Sequence, residues 1–122
     1  MPPEPNPPSP PSGPRGLEHP GVIDALMHDT KADEAWLVML ERRTWEGGEA
    51  QLFQLQEKLN AYLSFALDGE MVENYPVLAD KPVREILDTT HPPSALVVDF
   101  LGRIREQLSF QGIALEVRIT GA

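Results

Sequence analysis

Two stretches with apolar residues at helical spacing alternate with short apolar segments of strand length. This alternation constrains the fold more than any single residue does. In QLFQLQEKLNAYLSFALDGE, Gln51 to Glu70, the residues Leu52, Leu55, Leu59, Tyr62, Leu63 and Ala66 recur at offsets of three and four, which marks one helix face. Phe53 and Phe65 fall on the flanks of that stripe, and Gln51, Gln54 and Gln56 read as solvated positions. Asp68 and Gly69 suit the helix end, glycine being able to take the left-handed conformation of a C-cap. The second stripe, Val97, Phe100, Leu101, Ile104 and Leu108, predicts a helix from Ser94 to about Gln111. Pro92 and Pro93 sit before it, where backbone amides have no helical partner anyway.

The strand-like segments fall between these helices. GVIDALMHD, Gly21 to Asp29, alternates loosely and ends in the turn-rich DTKAD, which predicts a strand and a hairpin. EAWLVMLERR, Glu34 to Arg43, holds an unbroken apolar run from Ala35 to Leu40 bounded by charge, as in a strand covered on both faces. The pair Gly47 and Gly48 interrupts structure before the first helix, and NYPVLADKP reads as a loop. VREILD, Val83 to Asp88, is a short strand. IALEVRIT alternates cleanly, with Ile113, Leu115, Val117 and Ile119 on one side and Ala114, Glu116, Arg118 and Thr120 on a wet face.

The order β-β-α-β-α-β predicts an α/β (α+β) two-layer sandwich. A hairpin pairs the first two strands, and right-handed crossovers lay both helices on one face of a four-stranded mixed sheet. Strand order beyond the hairpin stays open. The first sixteen residues, MPPEPNPPSPPSGPRG, hold eight of the thirteen prolines and almost no apolar side chain. Such a composition cannot offset chain entropy by burial, so they read as a disordered, polyproline-like tail ahead of a single domain from residue 17 to 122.

Composition excludes several functions. The net charge is −9, from 19 acids against 10 bases without a basic cluster, which argues against nucleic acid and anionic membrane surfaces. The absence of cysteine removes disulfides, thiol catalysis, iron–sulfur clusters and cysteine zinc sites. No apolar run has bilayer length, and the amino terminus lacks a signal-peptide pattern, which favours the cytoplasm. His19, His28 and His91 are scattered, and the His28, Asp29, Asp33 cluster fits an Asp-rich hairpin better than a cation loop. No cofactor or metal is expected.

The segments HD…D (His28, Asp29, Asp33), LVMLERRTWEGG, QLQEKLNAYLSFALDGEM and LSFQGIALEVRI together resemble a family of small, functionally uncharacterised bacterial proteins, over roughly Gly21 to Ile119. The resemblance implies a bacterial, cytoplasmic α/β domain and assigns no activity and no functional residue.

Two surfaces are candidates. Ligands of open sheets gather beyond the carboxyl ends of parallel strands. That edge should collect Arg42, Arg43 and Trp45 with the glycine pair, then Asp88, Thr89, Thr90 and His91, then Arg118 and Thr120. Arg42 and Arg43 beside a helix start suit an anion, although GK[ST] and the dinucleotide fingerprint are both missing, and Asp88 with His91 suits an acid–base pair. The other surface is the open sheet face. Of the two alternate sets in the second strand, Ala35, Leu37 and Met39 or Trp36, Val38 and Leu40, whichever does not pack under the helices faces that side. Trp36, Val38 and Leu40 are the candidate interface, for a homodimer or for another protein, and a non-enzymatic interaction module is the leading expectation.

Overall fold

The computed structural model describes residues 15–46 and 49–120, and the elements follow the predicted order with additions. Strand β1 is Ala25–Asp29 and β2 is Glu34–Glu41; helix α1 is Glu49–Leu67 and a short helix α2 is Glu70–Asn74. A single turn of 3₁₀ helix, Pro76–Leu78, leads to strand β3, Val83–Thr89, helix α3, Ala95–Ser109, and strand β4, Ile113–Ile119. Gly69 turns the chain between α1 and α2 at φ +96°, the left-handed conformation expected of it. The segment read as a loop, NYPVLADKP, holds the 3₁₀ turn, which buries Leu78, while α2 forms just before it, largely in residues for which no element is predicted, and buries Met71.

The four strands lie in the order β1-β2-β3-β4, β1 antiparallel to β2 and the remaining pairs parallel. Both crossovers advance the same way across the sheet, so equal handedness places α1 and α3 on the same face. The core lies between that face and the helices. It takes Leu26, Ala35, Leu37, Met39, Leu87, Ile113 and Leu115 from the strands and Leu55, Leu59, Tyr62, Val97, Leu101 and Leu108 from the helices.

Strand β1 begins four residues later than its sequence pattern predicts, and the reason is chemical. At Asp24 the chain leaves the sheet, and side chains occupy the bonds on β2 that a longer β1 would use. The Asp24 carboxylate accepts the Leu40 amide at 2.9 Å, and the Tyr62 hydroxyl donates to the Val38 carbonyl at 2.7 Å. The same hydroxyl accepts the Asp24 amide at 2.8 Å.

Beside this junction lies the ammonium of Lys58, fully buried like Asp24. It donates to the carbonyls of Gly16, His19 and Val22 at 2.8, 2.8 and 3.0 Å and to Asp24 Oδ1 at 3.0 Å. Gly16, at φ +109°, closes the ring by donating its amide to Asp24. Burial pushes the Lys58 ammonium down from its ordinary range, although the bond to Asp24 opposes the change. The buried face of α1 is thus Gln51, Leu55, Lys58, Leu59 and Tyr62, which corrects the reading of Gln51 as solvated. Leu52, Leu63, Phe65 and Ala66 pack at its margin. Arg15 and Gly16, read from sequence with the tail, are described, and Gly16 is buried; the rest of that tail lies outside the described residues.

One buried group has no such satisfaction. Glu85, in β3 between Leu37 of β2 and Leu115 of β4, is fully buried, and neither carboxylate oxygen meets a hydrogen-bond partner among the described residues. Burial alone pushes its carboxyl up from 4.5 to about 8, so it is largely a neutral acid at pH 7.

Replacing Lys58 with Met leaves Asp24 as a buried, unpaired charge and should cost about 3–5 kcal/mol in urea denaturation. A cost below about 1 kcal/mol would contradict this account of the clasp. Glu85 supplies a pH test. The unfolded chain releases this proton above pH 4.5 and the native state holds it to about pH 8, so native stability falls as pH rises across that interval. The fall should be on the order of 4 kcal/mol between those limits, and Glu85→Gln should remove most of it when unfolding midpoints are compared.

Candidate functional site

The carboxyl ends of β2, β3 and β4 bring together most of the residues expected there. Arg42 donates to Asp88 Oδ1 at 3.4 Å and to Thr90 Oγ1 at 3.3 Å, and Thr120 donates its hydroxyl to the same Asp88 oxygen. The indole of Trp45 reaches across the edge and donates to Thr89 Oγ1 at 3.0 Å and to the His91 carbonyl at 3.2 Å. Asp88 is therefore committed to Arg42 and Thr120. Among the described residues His91 enters hydrogen bonds only through its carbonyl oxygen.

Arg43 turns away from this group toward α1. It makes a two-pronged bond to Glu41, with 3.0 Å at Nε and 2.7 Å at Nη2, and Nη2 also donates to Gln54 at 2.8 Å. Glu41 is 2% exposed, and Gln51 donates to it from the helix at 3.0 Å. Burial would raise the Glu41 carboxyl, but hydrogen bonds from Arg43, Gln51 and the Arg43 amide outweigh it and hold the group below its ordinary range. A cavity of about 450 Å³ opens beside this chain of bonds, lined by Arg43, Thr44, Glu46, Ala50, Gln51 and Gln54. The glycine pair that should open the helix lies outside the described residues.

The hairpin cluster is a turn held together internally. His28 Nε2 lies 2.8 Å from Asp33 Oδ1, Lys81 lies 2.9 Å from Asp33 Oδ2, and Asp29 accepts the Ala32 amide at 2.9 Å. Among the described residues no group of three or more His, Asp or Glu side chains is arranged to hold a metal ion.

The second surface is the sheet face opposite the helices. Ala35, Leu37 and Met39 join the core beneath α1, so the alternate residues Trp36, Val38 and Leu40 of β2 lie on the helix-free side, in register with Arg84, Ile86 and Asp88 of β3. Sequence alone missed how this face is dressed. The Trp36 indole donates to Glu34 at 2.9 Å, and Glu34 pairs with Arg84 at 3.0 Å. Arg84 reaches Glu116 at 3.4 Å, and Glu116 pairs with Arg118 at 2.6 Å. The circuit closes where the Arg118 guanidinium stacks over the Trp36 ring, 4.6 Å from its centroid. Arg118 was expected at the carboxyl edge with Thr120; its side chain instead runs back over the face, drawn by Glu116 and the indole. Hydrogen bonds hold Glu34 and Glu116 below the ordinary carboxylate range, Glu34 through Arg84 and Trp36 and Glu116 chiefly through Arg118. At the centre Val38 is 7% and Ile86 1% exposed, while Met27 at the β1 margin is 41% exposed.

The comparison with known families is decisive at one level. The chain belongs to a family of unknown function, DUF6572. Its family model matches residues 16–121, a span that opens on Gly16, the first residue of the Lys58 clasp. No curated protein and no solved structure matches the chain. Membership agrees with the resemblance carried by the central helix and assigns no activity. Among the described residues no helix is long and apolar enough to cross a membrane.

The Glu41–Arg43 pair yields a directional test. Arg43→Met strips the buried Glu41 of its strongest partner and should cost about 1–3 kcal/mol at pH 7. Glu41 gives stability that is present above its ordinary value and lost as pH falls through the lowered one, so the difference between the two proteins should shrink toward pH 3. A cost that stays constant from pH 7 to pH 3 in denaturant titrations would contradict the assignment.

Proposed function

We propose that this chain is a non-enzymatic self-associating module that pairs with a second copy through the helix-free sheet face. The observation that carries the reading is the closed circuit of Trp36, Glu34, Arg84, Glu116 and Arg118 around Val38 and Ile86. On a chain of net charge −9, two copies repel over most of their surfaces. Around this circuit two carboxylates stand against two guanidiniums, so the charge is balanced. A twofold axis brings such a patch against its own copy, and a patch holding both signs of charge can set an acid of one copy against a guanidinium of the other. Tryptophan and arginine are the side chains that dominate binding at well-packed interface centres. The bacterial, cytoplasmic setting implied by the resemblance belongs to this proposal.

Ligand binding at the carboxyl edge is the second reading. It is served less well, because the Arg42 and Arg43 guanidiniums already face Asp88 and Glu41.

Sedimentation velocity over a wide concentration range tests the first reading. We expect a dimer whose population rises with concentration. Met27→Arg adds charge at an exposed position of the face and should weaken dimerisation by about tenfold or more, whereas Phe53→Glu on the outer side of α1 should leave it unchanged. A monomer at every concentration, or a dimer indifferent to Met27→Arg but abolished by Phe53→Glu, would overturn the proposal.

A further inference from the structure

The helix layer carries a second surface with a different chemistry. Between α1 and α3 runs a groove of about 200 Å³ with no charged side chain in its lining, on a chain in which 24% of residues are charged. Phe100 and Ile104 contribute apolar walls, and four primary amides line it with them, Gln56 and Asn60 from α1, Gln107 from α3 and Gln111 from the turn that follows it. All four amide residues are exposed. A carboxamide offers two N–H donors and carries no charge, so this lining suits a ligand rich in free carbonyl oxygens and poor in charge.

One segment of the same chain has that composition. Residues 2–14, PPEPNPPSPPSGP, contain eight prolines and a single ionisable side chain, Glu4. Proline has no N–H, and a polyproline helix makes no internal hydrogen bonds, so its carbonyls remain available to donors. Aromatic-lined grooves are how proteins ordinarily receive such segments.

The attachment point is also suitable. The Gly16 carbonyl is held by Lys58, which lies on α1 in the same helical turns as Gln56 and Asn60, just under half a turn around the helix from each. A polyproline segment advances about 3.1 Å per residue, so thirteen residues span about 40 Å. Passing round a helix about 10–12 Å across uses less than half of that length and leaves the remainder to lie along the groove. We propose that the groove between α1 and α3 is the docking site of the proline-rich segment, residues 2–14, of the same chain. The interaction is independent of pairing through the sheet face, which lies on the other side of the molecule.

The test uses the full chain, whose lack of cysteine permits a single spin label at Ser9→Cys. In ¹⁵N-labelled protein, the side-chain amide signals of Gln56, Asn60, Gln107 and Gln111 should lose at least half their intensity relative to the reduced label. The combined substitution Asn60→Ala, Gln107→Ala, at two exposed positions, should restore most of the intensity at Gln56 and Gln111 while the remaining spectrum stays native. A segment that merely samples the surface near its attachment would broaden both proteins alike, which overturns the proposal. Strongest broadening at the Trp36 indole N–H would also overturn it and place the segment on the sheet face. Broadening of the groove amides only when labelled and spin-labelled chains are mixed would overturn the same-chain assignment in favour of a second copy.

Discussion

A single ammonium, that of Lys58, organises the half of the molecule around β1. A charge removed from water is costly unless its hydrogen-bonding capacity is met, and here three backbone carbonyls and the Asp24 carboxylate meet it. The arrangement is cooperative in its geometry. Asp24 is positioned to receive Lys58 because its amide is fixed by Tyr62 and its second oxygen by Leu40. Residues 16–24 are thereby fastened to α1, β1 begins only at Ala25, and α1 is seated over β2. With this segment gathered on the helix side, the opposite sheet face is left to its own side chains.

Much of this architecture was legible in the sequence. Period-3.6 stripes located α1 and α3, period-2 alternation located β4, and the direction of the crossovers put both helices on one face. The wet face expected of β4 is instead half-buried, because Glu116 and Arg118 lie within the circuit across the sheet. Lys58 and Gln51 escaped because a stripe read from apolar residues alone passes over polar members of the same face. Their spacing was nevertheless informative: Gln51, Leu55, Lys58 and Tyr62 follow one another at intervals of four, three and four. Glu85 had no such warning. A lone glutamate in a short strand reads as exposed until both neighbouring strands are known to bury it.

The candidate surfaces divide in the same way. Topology alone predicted that Arg42, Trp45, Asp88 and His91 would meet at the carboxyl edge of the sheet. What it could not supply was the pairing, because partners such as Arg42 with Asp88 lie far apart in sequence and depend on strand order. The circuit on the open face was hidden for the same reason. Glu34, Arg84 and Glu116 become neighbours only when β2, β3 and β4 are adjacent in that order. The two sides of the molecule then differ in kind. One presents balanced charges over a covered apolar centre, and the other presents uncharged amides between two helices.

Isotope-filtered nuclear Overhauser spectroscopy on an equal mixture of labelled and unlabelled protein tests the central claim, that the circuit-bearing face is where two copies meet. The account predicts intermolecular contacts from the Trp36 ring and the Met27 methyl to protons of Leu40 or Ala114 of the other copy. Intermolecular contacts confined to α1 and α3, or none at concentrations where sedimentation shows a dimer, would contradict it.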